Sequence, residues 1–291
     1  MEIYTIESEY LLAKFRNLGG ELIELYDKIT QTHRLKRGDN YWSWYAPTLF
    51  PIVGRAFNDT IWFHNQPYKM EKHGFLRKSI MEAILHNSHT KIEFRLFSNE
   101  LTKIIFPFDF EFQIHYSLEN NSLKIVYVVI KKQKENFPFQ VGAHPAFNLK
   151  AFQEMNIHDH FLEFNQEEKN IRHYINSDGY FTGEIENLPI EQKKLFLKES
   201  FFEKDAIILK NIQSNEIHLK NIKNSQGISL SFDKKFKHFG IWKPLGADFV
   251  CLEPWCGCAD VIGFDDNFAE KETFYLTEEE ITTFSYEIKV Y

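Results

Sequence analysis

The chain has 291 residues, of which 43% are hydrophobic and 26% are charged, and its formal net charge is −7. A chain of this length and composition can bury a large core, and we predict one domain over residues 1–291. Lysine and arginine form no continuous basic track, so the charge pattern gives no support for a nucleic-acid or anionic-membrane partner.

The first seven residues include two acidic ones, Glu2 and Glu7, where a secretion signal would be positively charged, and no stretch is apolar over the length of a membrane-spanning helix. We therefore expect a cytoplasmic protein, a monomer or a homodimer, that takes a small molecule and has neither a nucleic-acid nor a membrane partner. The three cysteines, Cys251, Cys256 and Cys258, are an odd number within one segment. This pattern favours reduced thiols over a disulfide framework.

Alternation of apolar and polar residues with a period of two is the dominant pattern. It predicts strands at residues 91–97, 110–118, 123–130, 216–219, 228–232 and 284–290. The polar residues 119–122 join the second strand to the third and predict a hairpin. Strands that follow one another closely, without alternating helices, indicate an all-β fold: a large antiparallel β-sandwich with few short helices.

Two stretches depart from this alternation. Residues 190–199 have the best short helical pattern in the chain. Between residues 156 and 186 the alternation fades and polar turn residues accumulate, although aromatic residues recur. We predict that this second stretch is a long excursion over the sandwich, anchored by its aromatic side chains.

His144 stands out because it lies in the run Gly142-Ala143-His144-Pro145. Proline donates no backbone N–H and biases the residue before it, so His144 is expected in a turn rather than in a strand ladder. The ordinary pKa of imidazole lies near neutral pH, which suits a presented histidine to give up a proton and take it back. The alternative is a turn histidine that caps neighbouring carbonyls.

Glu253 ends an apolar run and is followed by Pro254 and Trp255. A carboxylate in such surroundings is costly to desolvate, so its pKa should rise and make it a competent general base unless a paired arginine offsets the shift. Glutamate is rarely buried without a partner or a role. Glu253 is therefore the strongest candidate after His144.

Three further polar residues are set among turn-forming and aromatic residues. Arg55 follows a glycine at the end of an apolar run, and its guanidinium could hold substrate oxygens or pair with a carboxylate on the surface. His73 is also next to a glycine, Gly74, which follows it. Asp205 stands at the start of an apolar strand, where it could bind a ligand or serve as a turn residue or cap.

Two pairs of potential metal ligands occur along the chain, His158 with His160 and Cys256 with Cys258. A closed zinc site needs four ligands, and no complementary pair is evident. The sequence also lacks the glycine-rich loops that bind nucleotides and the Gly-x-Ser-x-Gly elbow of serine hydrolases. We therefore predict neither a metal nor a nucleotide.

Taken together, these segments resemble the aldose 1-epimerase (galactose mutarotase-like) family, and more closely its LacX-type branch. The matching motifs run through nearly the whole chain in the family's order: Leu49-Phe50-Pro51-Ile52-Val53-Gly54-Arg55, Lys72-His73-Gly74-Phe75-Leu76-Arg77, Gly142-Ala143-His144-Pro145-Ala146-Phe147-Asn148-Leu149, Lys204-Asp205-Ala206-Ile207, Gly240-Ile241-Trp242 and Leu252-Glu253-Pro254-Trp255.

The resemblance implies the antiparallel supersandwich fold and an isomerase that uses no metal and no organic cofactor. It also implies roles for five residues: Glu253 as general base, His144 as general acid, Arg55 and His73 as substrate-positioning groups, and Asp205 as a binder of sugar hydroxyls. The implied reaction opens and recloses the ring of a free hexose, with the acid and the base expected on opposite sides of the sugar.

Two other functions stay open at this point. One is epimerisation of a hexose 6-phosphate, because Lys72, Arg77 or Lys243 could hold a phosphate near the site. The other is a non-catalytic sugar-binding protein that uses the same cleft. The family's larger members usually have an Asn-Arg pair where Ala56 follows Arg55 here, and a bulky aromatic residue where this chain has Ala146. These differences affect the expected substrate preference and leave both proton-transfer residues in place.

Overall fold

The computed structural model describes residues 1–38, 40–152, 156–223, 225–271, 274–275 and 280–291. Strands dominate this part of the chain: β1 (Ile3–Glu7), β2 (Leu11–Arg16), β3 (Glu21–Asp27), β4 (Thr32–His33), β5 (Thr48–Leu49), β6 (Thr60–Phe63), β7 (Gln66–Lys69), β8 (Glu82–Leu85), β9 (Lys91–Phe97), β10 (Phe110–Glu119), β11 (Ser122–Lys131), β12 (Pro138–Phe139), β13 (Gly142–Ala143), β14 (Ala146–Asn148), β15 (His160–Phe164), β16 (Ile171–Ile175), β17 (Phe181–Asn187), β18 (Lys194–Phe196), β19 (Ile207–Lys210), β20 (Glu216–Asn221), β21 (Gly227–Phe232), β22 (His238–Trp242), β23 (Phe249–Trp255), β24 (Phe274–Tyr275) and β25 (Ile281–Val290).

Helices in the same residues are short. The one α-helix is α1 (Glu100–Ile105), which begins after Asn99, whose side chain accepts hydrogen bonds from the backbone N–H groups of Leu101 and Thr102. The remaining helical turns are 3₁₀ segments at Phe57–Asp59, Leu76–Lys78, Leu149–Phe152, Ile157–Asp159, Glu199–Phe202 and Phe268–Glu270. None of the helices in the described residues has the length and apolar composition that spanning a bilayer requires.

Two large sheets form the body of the protein. One has nine strands in the order β18-β15-β20-β21-β25-β11-β10-β9-β8, and the other has eight in the order β17-β16-β19-β22-β23-β13-β5, with β14 paired to β23. A smaller sheet, β1-β2-β3-β4, is formed by the start of the chain. Every described strand pair is antiparallel, which confirms the all-β antiparallel prediction.

One large apolar core joins the sheets, and two smaller apolar clusters are separate from it in the described residues. In several strands alternate residues are buried, as the period-two pattern requires. The nine-stranded sheet contributes Ile114 and Ile288, the eight-stranded sheet contributes Ile241 and Leu252, and the small sheet contributes Phe15, all fully or almost fully buried. One face of the eight-stranded sheet is therefore packed, and its other face is available for a site.

The predicted strands and the hairpin are confirmed. β9 spans Lys91–Phe97 as expected, and β10 and β11 pair from Phe110 opposite Lys131 to Glu119 opposite Ser122. The later predictions at residues 216–219, 228–232 and 284–290 fall within β20, β21 and β25.

Two predictions about local structure are wrong. Residues 190–199 do not form a helix: Lys194–Phe196 is the strand β18, because Leu195 and Leu197 are buried on either side of exposed Phe196, which is a period of two. Residues 156–186 are not an excursion over the sandwich. They include β15 of the nine-stranded sheet and β16 and most of β17 of the eight-stranded sheet, and only β17 of these is an edge strand, with mostly exposed residues.

Candidate functional site

The pairing of β13, β14 and β23 brings the two principal candidates together. Gly142 on β13 lies opposite Trp255, and Ala146 on β14 lies opposite Cys251. The same register places His144 opposite Glu253, at the point where Pro145 interrupts the ladder between β13 and β14. The pair therefore follows from antiparallel geometry, since residues directly opposite have side chains on one face.

His144 and Glu253 are in direct contact on the wall of a cavity of about 240 Å³. The imidazole Nε2 is 3.0 Å from the carboxyl Oε2, and the two residues are 7% and 1% exposed. Oε2 of Glu253 has no hydrogen-bond partner in the described part of the chain, since the contact lacks hydrogen-bond alignment. The expectation that the acid and the base lie on opposite sides of a sugar is therefore not met in this structure.

Burial favours the uncharged form of both groups. It raises the pKa of the Glu253 carboxyl well above its ordinary value, an effect that Lys72 opposes and Asp205 reinforces. Burial also lowers the pKa of the His144 imidazole to about 3, and Lys72 and Arg77 act in the same direction. At a pH between these two pKa values, Glu253 and His144 share one proton. In the uncharged form of the pair, the Glu253 carboxyl holds that proton and the imidazole is neutral.

His73 lines the same cavity with a defined orientation. Its backbone N–H donates to the carbonyl of Gly54, and the N–H of Gly54 donates to Nδ1 of the imidazole at 3.1 Å. Burial lowers the pKa of His73 well below its ordinary value, so the ring is neutral. A neutral ring that accepts at Nδ1 carries its proton at Nε2. His73 is therefore a hydrogen-bond donor, with its ring centre 5.8 Å from that of His144.

The glycine after His73 explains how two separate motifs meet. Gly74 forms a parallel bridge with Phe50, and a Cβ on Gly74 would lie 2.1 Å from the Phe50 carbonyl oxygen. Its φ of +70° also belongs to the left-handed region that favours glycine. No other residue allows the two backbones to approach so closely, and this approach fixes His73 beside Gly54.

Asp205 reaches the cavity from a turn that a buried arginine holds in place. The Asp205 backbone has a φ of +64°, and its Oδ1 accepts the N–H of Ala206 at 2.7 Å. Arg172 on β16 is 2% exposed, and its Nη2 donates to the carbonyl oxygens of three consecutive residues, Lys204, Asp205 and Ala206, at 3.0–3.1 Å. Arg172 lies in the segment that the sequence misassigned to an excursion, and no sequence motif marks it.

Arg55 is placed differently from the other four candidates. Its guanidinium donates to both carboxylate oxygens of Asp59 at 2.7 Å and to the carbonyl of Asp178 at 3.1 Å. It lines a neighbouring depression of about 500 Å³, which shares Lys72 with the main cavity. The structure thus brings Glu253, His144, His73 and Asp205 together and places Arg55 at the adjoining surface.

Aromatic side chains supply much of the cavity wall. Trp42 packs on the ring of His144 at 4.6 Å between centres, tilted by 30°, and Trp242 meets His144 edge-on at 5.8 Å. Trp42 was missed in the sequence, although five consecutive residues from Tyr41 to Tyr45 include four aromatic ones. The Lys36 ammonium fixes the Trp42 backbone by donating to its carbonyl at 2.6 Å.

Of the three basic residues considered as phosphate ligands, two line the cavity and one does not. Lys72 and Arg77 line the cavity. Lys243 instead forms a buried ion pair with Glu199 and does not line it. Within the described residues, the potential metal ligands that come together are His144, Cys251 and Glu253, rather than either pair noted in the sequence.

Comparison with known proteins agrees with this architecture. The sequence model of the family described as aldose 1-epimerase matches residues 2–289. The chain belongs to the aldose 1-epimerase family. Two curated relatives, the plasmid and chromosomal LacX proteins of Lactococcus lactis subsp. lactis, are 31% identical over 269 and 267 residues, which is 87% of this chain and 87% of each relative.

Solved structures show the same fold. A galactose mutarotase related enzyme from Lactobacillus acidophilus superposes with a TM-score of 0.91 at 27% identity, covering 100% of this chain and 97% of that one. A galactose mutarotase-like protein from Lactobacillus casei has a TM-score of 0.91 at 24% identity and covers 100% of both chains. The fold is therefore the galactose mutarotase-like supersandwich that the sequence predicts.

Proposed function

We propose that this epimerase-family protein interconverts the α and β anomers of a free hexose by acid–base catalysis without a cofactor. The observation that carries the proposal is the contact between the Glu253 carboxyl and the His144 imidazole, buried at 3.0 Å on the wall of a cavity. One member of the pair can take a proton while the other gives one.

Ring opening uses the charged form of the pair. The Glu253 carboxylate accepts the proton of the anomeric hydroxyl, and the His144 imidazolium donates a proton to the ring oxygen as its bond to C1 breaks. The hydroxyl oxygen and the ring oxygen are both bonded to C1, so two groups that touch each other can address them from one edge of the sugar. In this proposal the acid and the base act from one edge of the sugar, instead of from its opposite sides as the family resemblance implied.

The open-chain stage leaves Glu253 protonated and His144 neutral, which are the forms that burial favours. Rotation about the C1–C2 bond turns the other face of the aldehyde toward the C5 hydroxyl. Reclosure reverses the roles: His144 accepts the hydroxyl proton and Glu253 donates to the carbonyl oxygen. Protons balance over the cycle, and the pair returns to its starting state.

Substrate positioning falls to the neighbouring polar groups. His73 offers an Nε2–H donor, and the Asp205 carboxylate can accept sugar hydroxyls while the buried Arg172 holds its turn. Trp42 and Trp242 present aromatic surface to the apolar C–H groups of a sugar. Arg55 would bind the part of a substrate that extends toward the adjoining depression.

Polarimetry tests the proposal. Freshly dissolved α-glucose or α-galactose should reach equilibrium rotation faster with the wild-type protein than with a Glu253→Gln variant, which keeps the side-chain shape but cannot accept the proton. Circular dichroism should show that both proteins are folded. If no common aldose reacts faster with the wild type, the proposal fails, and calorimetric binding without a rate effect would identify a sugar-binding protein instead.

A hexose 6-phosphate is the second candidate substrate, because Lys72 and Arg77 both line the cavity. A competition experiment at low ionic strength distinguishes the free hexose from the hexose 6-phosphate. If the site prefers a phosphate, a hexose 6-phosphate should inhibit mutarotation of the free sugar far more strongly than the free sugar's own anomers do. Equal inhibition by both favours the free hexose.

A further inference from the structure

We propose that His144, Cys251 and Glu253 together form a binding site for a thiophilic divalent transition-metal ion such as Zn²⁺, and that the bound ion blocks the cavity to sugar. Metal binding itself does not depend on the proposed function, whereas the inhibition of sugar conversion does. The inference extends that function by naming a class of inhibitor for the same two proton-transfer groups.

The β-sheet register creates the site. Cys251 and Glu253 are two residues apart on β23, so their side chains lie on one face, and His144 lies opposite Glu253 on the neighbouring segment. One potential ligand atom from each residue lies within 4.8 Å of the other two. Zinc binds sulfur at ~2.3 Å, imidazole nitrogen at ~2.0 Å and carboxylate oxygen at ~2.0–2.2 Å, so an ion among the three requires only a modest convergence of side chains.

The donor set selects the ion. A thiolate, an imidazole and a carboxylate suit zinc and its neighbours in the first transition row, whereas Mg²⁺ and Ca²⁺ prefer oxygen ligands. Cys251 is a thiol rather than half of a disulfide. In the described residues, Oε2 of Glu253 has no hydrogen-bond partner although the residue is only 1% exposed, so a buried oxygen faces the position that the ion would take.

Three protein ligands leave a fourth tetrahedral position for water. His144 and Glu253 line the cavity, so this position faces the space that the sugar would enter. The ion would occupy the carboxylate and the imidazole that the proton transfers require. Metal and sugar should therefore exclude each other.

Cobalt(II) provides a direct probe, because a thiolate bound to Co²⁺ gives a charge-transfer band in the near ultraviolet and a tetrahedral site gives strong visible bands. Titration of the wild-type protein with Co²⁺ should produce both, and one equivalent of Zn²⁺ should remove them. An excess of Mg²⁺ should leave them unchanged. Absence of the thiolate band in the folded wild type overturns the proposal.

Variants identify the thiol. Cys251→Ser should lose the charge-transfer band and weaken Co²⁺ binding by more than about tenfold, the scale on which loss of a metal-site group acts. The matched control is Cys256→Ser, which alters another buried cysteine, one whose Sγ accepts the N–H of Val141, and should retain the band. A band that survives in folded Cys251→Ser, or that is lost in folded Cys256→Ser, contradicts the assignment. If Cys251→Ser does not fold, Glu253→Gln replaces it and should weaken binding by a similar factor.

Activity gives a separate readout. Zn²⁺ should slow mutarotation, and saturating sugar should raise the concentration of Zn²⁺ needed for half-inhibition. A wild type that binds Co²⁺ through Cys251 but never accelerates mutarotation retains the metal site and refutes only the proposed function. An active protein that shows no thiolate band refutes only the metal site.

Discussion

Two glutamates of this protein, Glu21 and Glu253, are each 1% exposed, yet their surroundings differ sharply. Oε1 of Glu21 accepts the backbone N–H groups of Tyr45 and Ala46 at 2.6 and 3.0 Å, and its other oxygen is ion-paired with Arg16. Among the described residues, no lysine or arginine lies within 4 Å of the Glu253 carboxyl, whose basic neighbour is the neutral imidazole of His144.

Burial raises the pKa of both carboxyls, but for Glu21 the Arg16 charge and the two backbone donors oppose that rise. For Glu253 the opposing charge is that of Lys72, which is not in an ion pair with it. The comparison shows that burial alone does not make a carboxyl reactive. A carboxyl whose partners satisfy its charge stabilises the fold, and one that lies beside a neutral imidazole without a cationic partner can exchange a proton.

The two residues are also connected. Glu21 binds the backbone at Tyr45 and Ala46, in the segment that carries Trp42 over His144. The structural glutamate thus holds the loop whose Trp42 packs on the imidazole of the reactive pair.

The largest expected effect separates the two carboxyls by activity. Glu253→Gln should lower the rate of mutarotation by about 10²- to 10⁴-fold, the range for loss of a general acid or base. Glu21→Gln should keep the activity of the folded protein within about tenfold of wild type, because it touches no reacting atom. Polarimetry on samples matched by circular dichroism measures both, and comparable losses in the two variants would remove the distinction.

For the free energy of unfolding, Glu21→Gln should have the larger effect and Glu253→Gln the smaller one. Glu21→Gln leaves Arg16 without its buried counter-charge and should lower the free energy of unfolding by ~3 kcal/mol, the low end for breaking a buried pair because Arg16 is partly exposed. Glu253→Gln, which replaces a buried carboxyl by a neutral amide, should cost less. Urea unfolding at neutral pH compares them, and a larger loss for Glu253→Gln would contradict the assignment.

The sequence is sufficient to predict the strands and the antiparallel class because alternation is a local property of each strand. β10 and β11 differ from their predicted bounds by one residue at most, at the ends where pairing frays. The five site residues were singled out by turn and aromatic neighbours, which are also local.

What could not be predicted depends on pairing between distant segments. The contact between His144 and Glu253 follows from the register of β13 and β14 on β23, and no local pattern encodes that register. Arg172 holds the Asp205 turn from β16, a strand that is distant in sequence from that turn. The ion pair of Arg55 with Asp59 is a choice of partner that sequence alone leaves open.

The pH dependence of stability should also distinguish Glu253 from its amide. Below pH ~4.5, the ordinary pKa of a glutamate carboxyl, Glu253 is protonated in both the folded and the unfolded protein. At higher pH the unfolded chain releases this proton. The folded protein keeps it, because burial raises the pKa of the carboxyl. The contribution of this carboxyl to the stability of the wild type therefore falls as pH rises through this interval. Glu253→Gln lacks this loss, so its stability relative to wild type should improve between pH ~5 and ~8 in urea unfolding. A constant difference across that range would show that burial does not perturb this carboxyl.

The smallest effect concerns the cover over the pair. Trp42→Ala should admit water to His144, so its pKa should rise from about 3 toward the ordinary value of 6.5, and the acidic limb of the activity profile should move to higher pH. The rate should fall about two- to twelvefold, the equivalent of the ~0.5–1.5 kcal/mol of an aromatic contact. Trp42→Phe keeps an aromatic ring on the imidazole and should retain both the rate and the profile. A lower rate with an unchanged acidic limb would mean that Trp42 contacts the sugar but does not control the protonation of His144. Burial by the sheet alone would then account for the difference between the Glu253–His144 pair and Glu21.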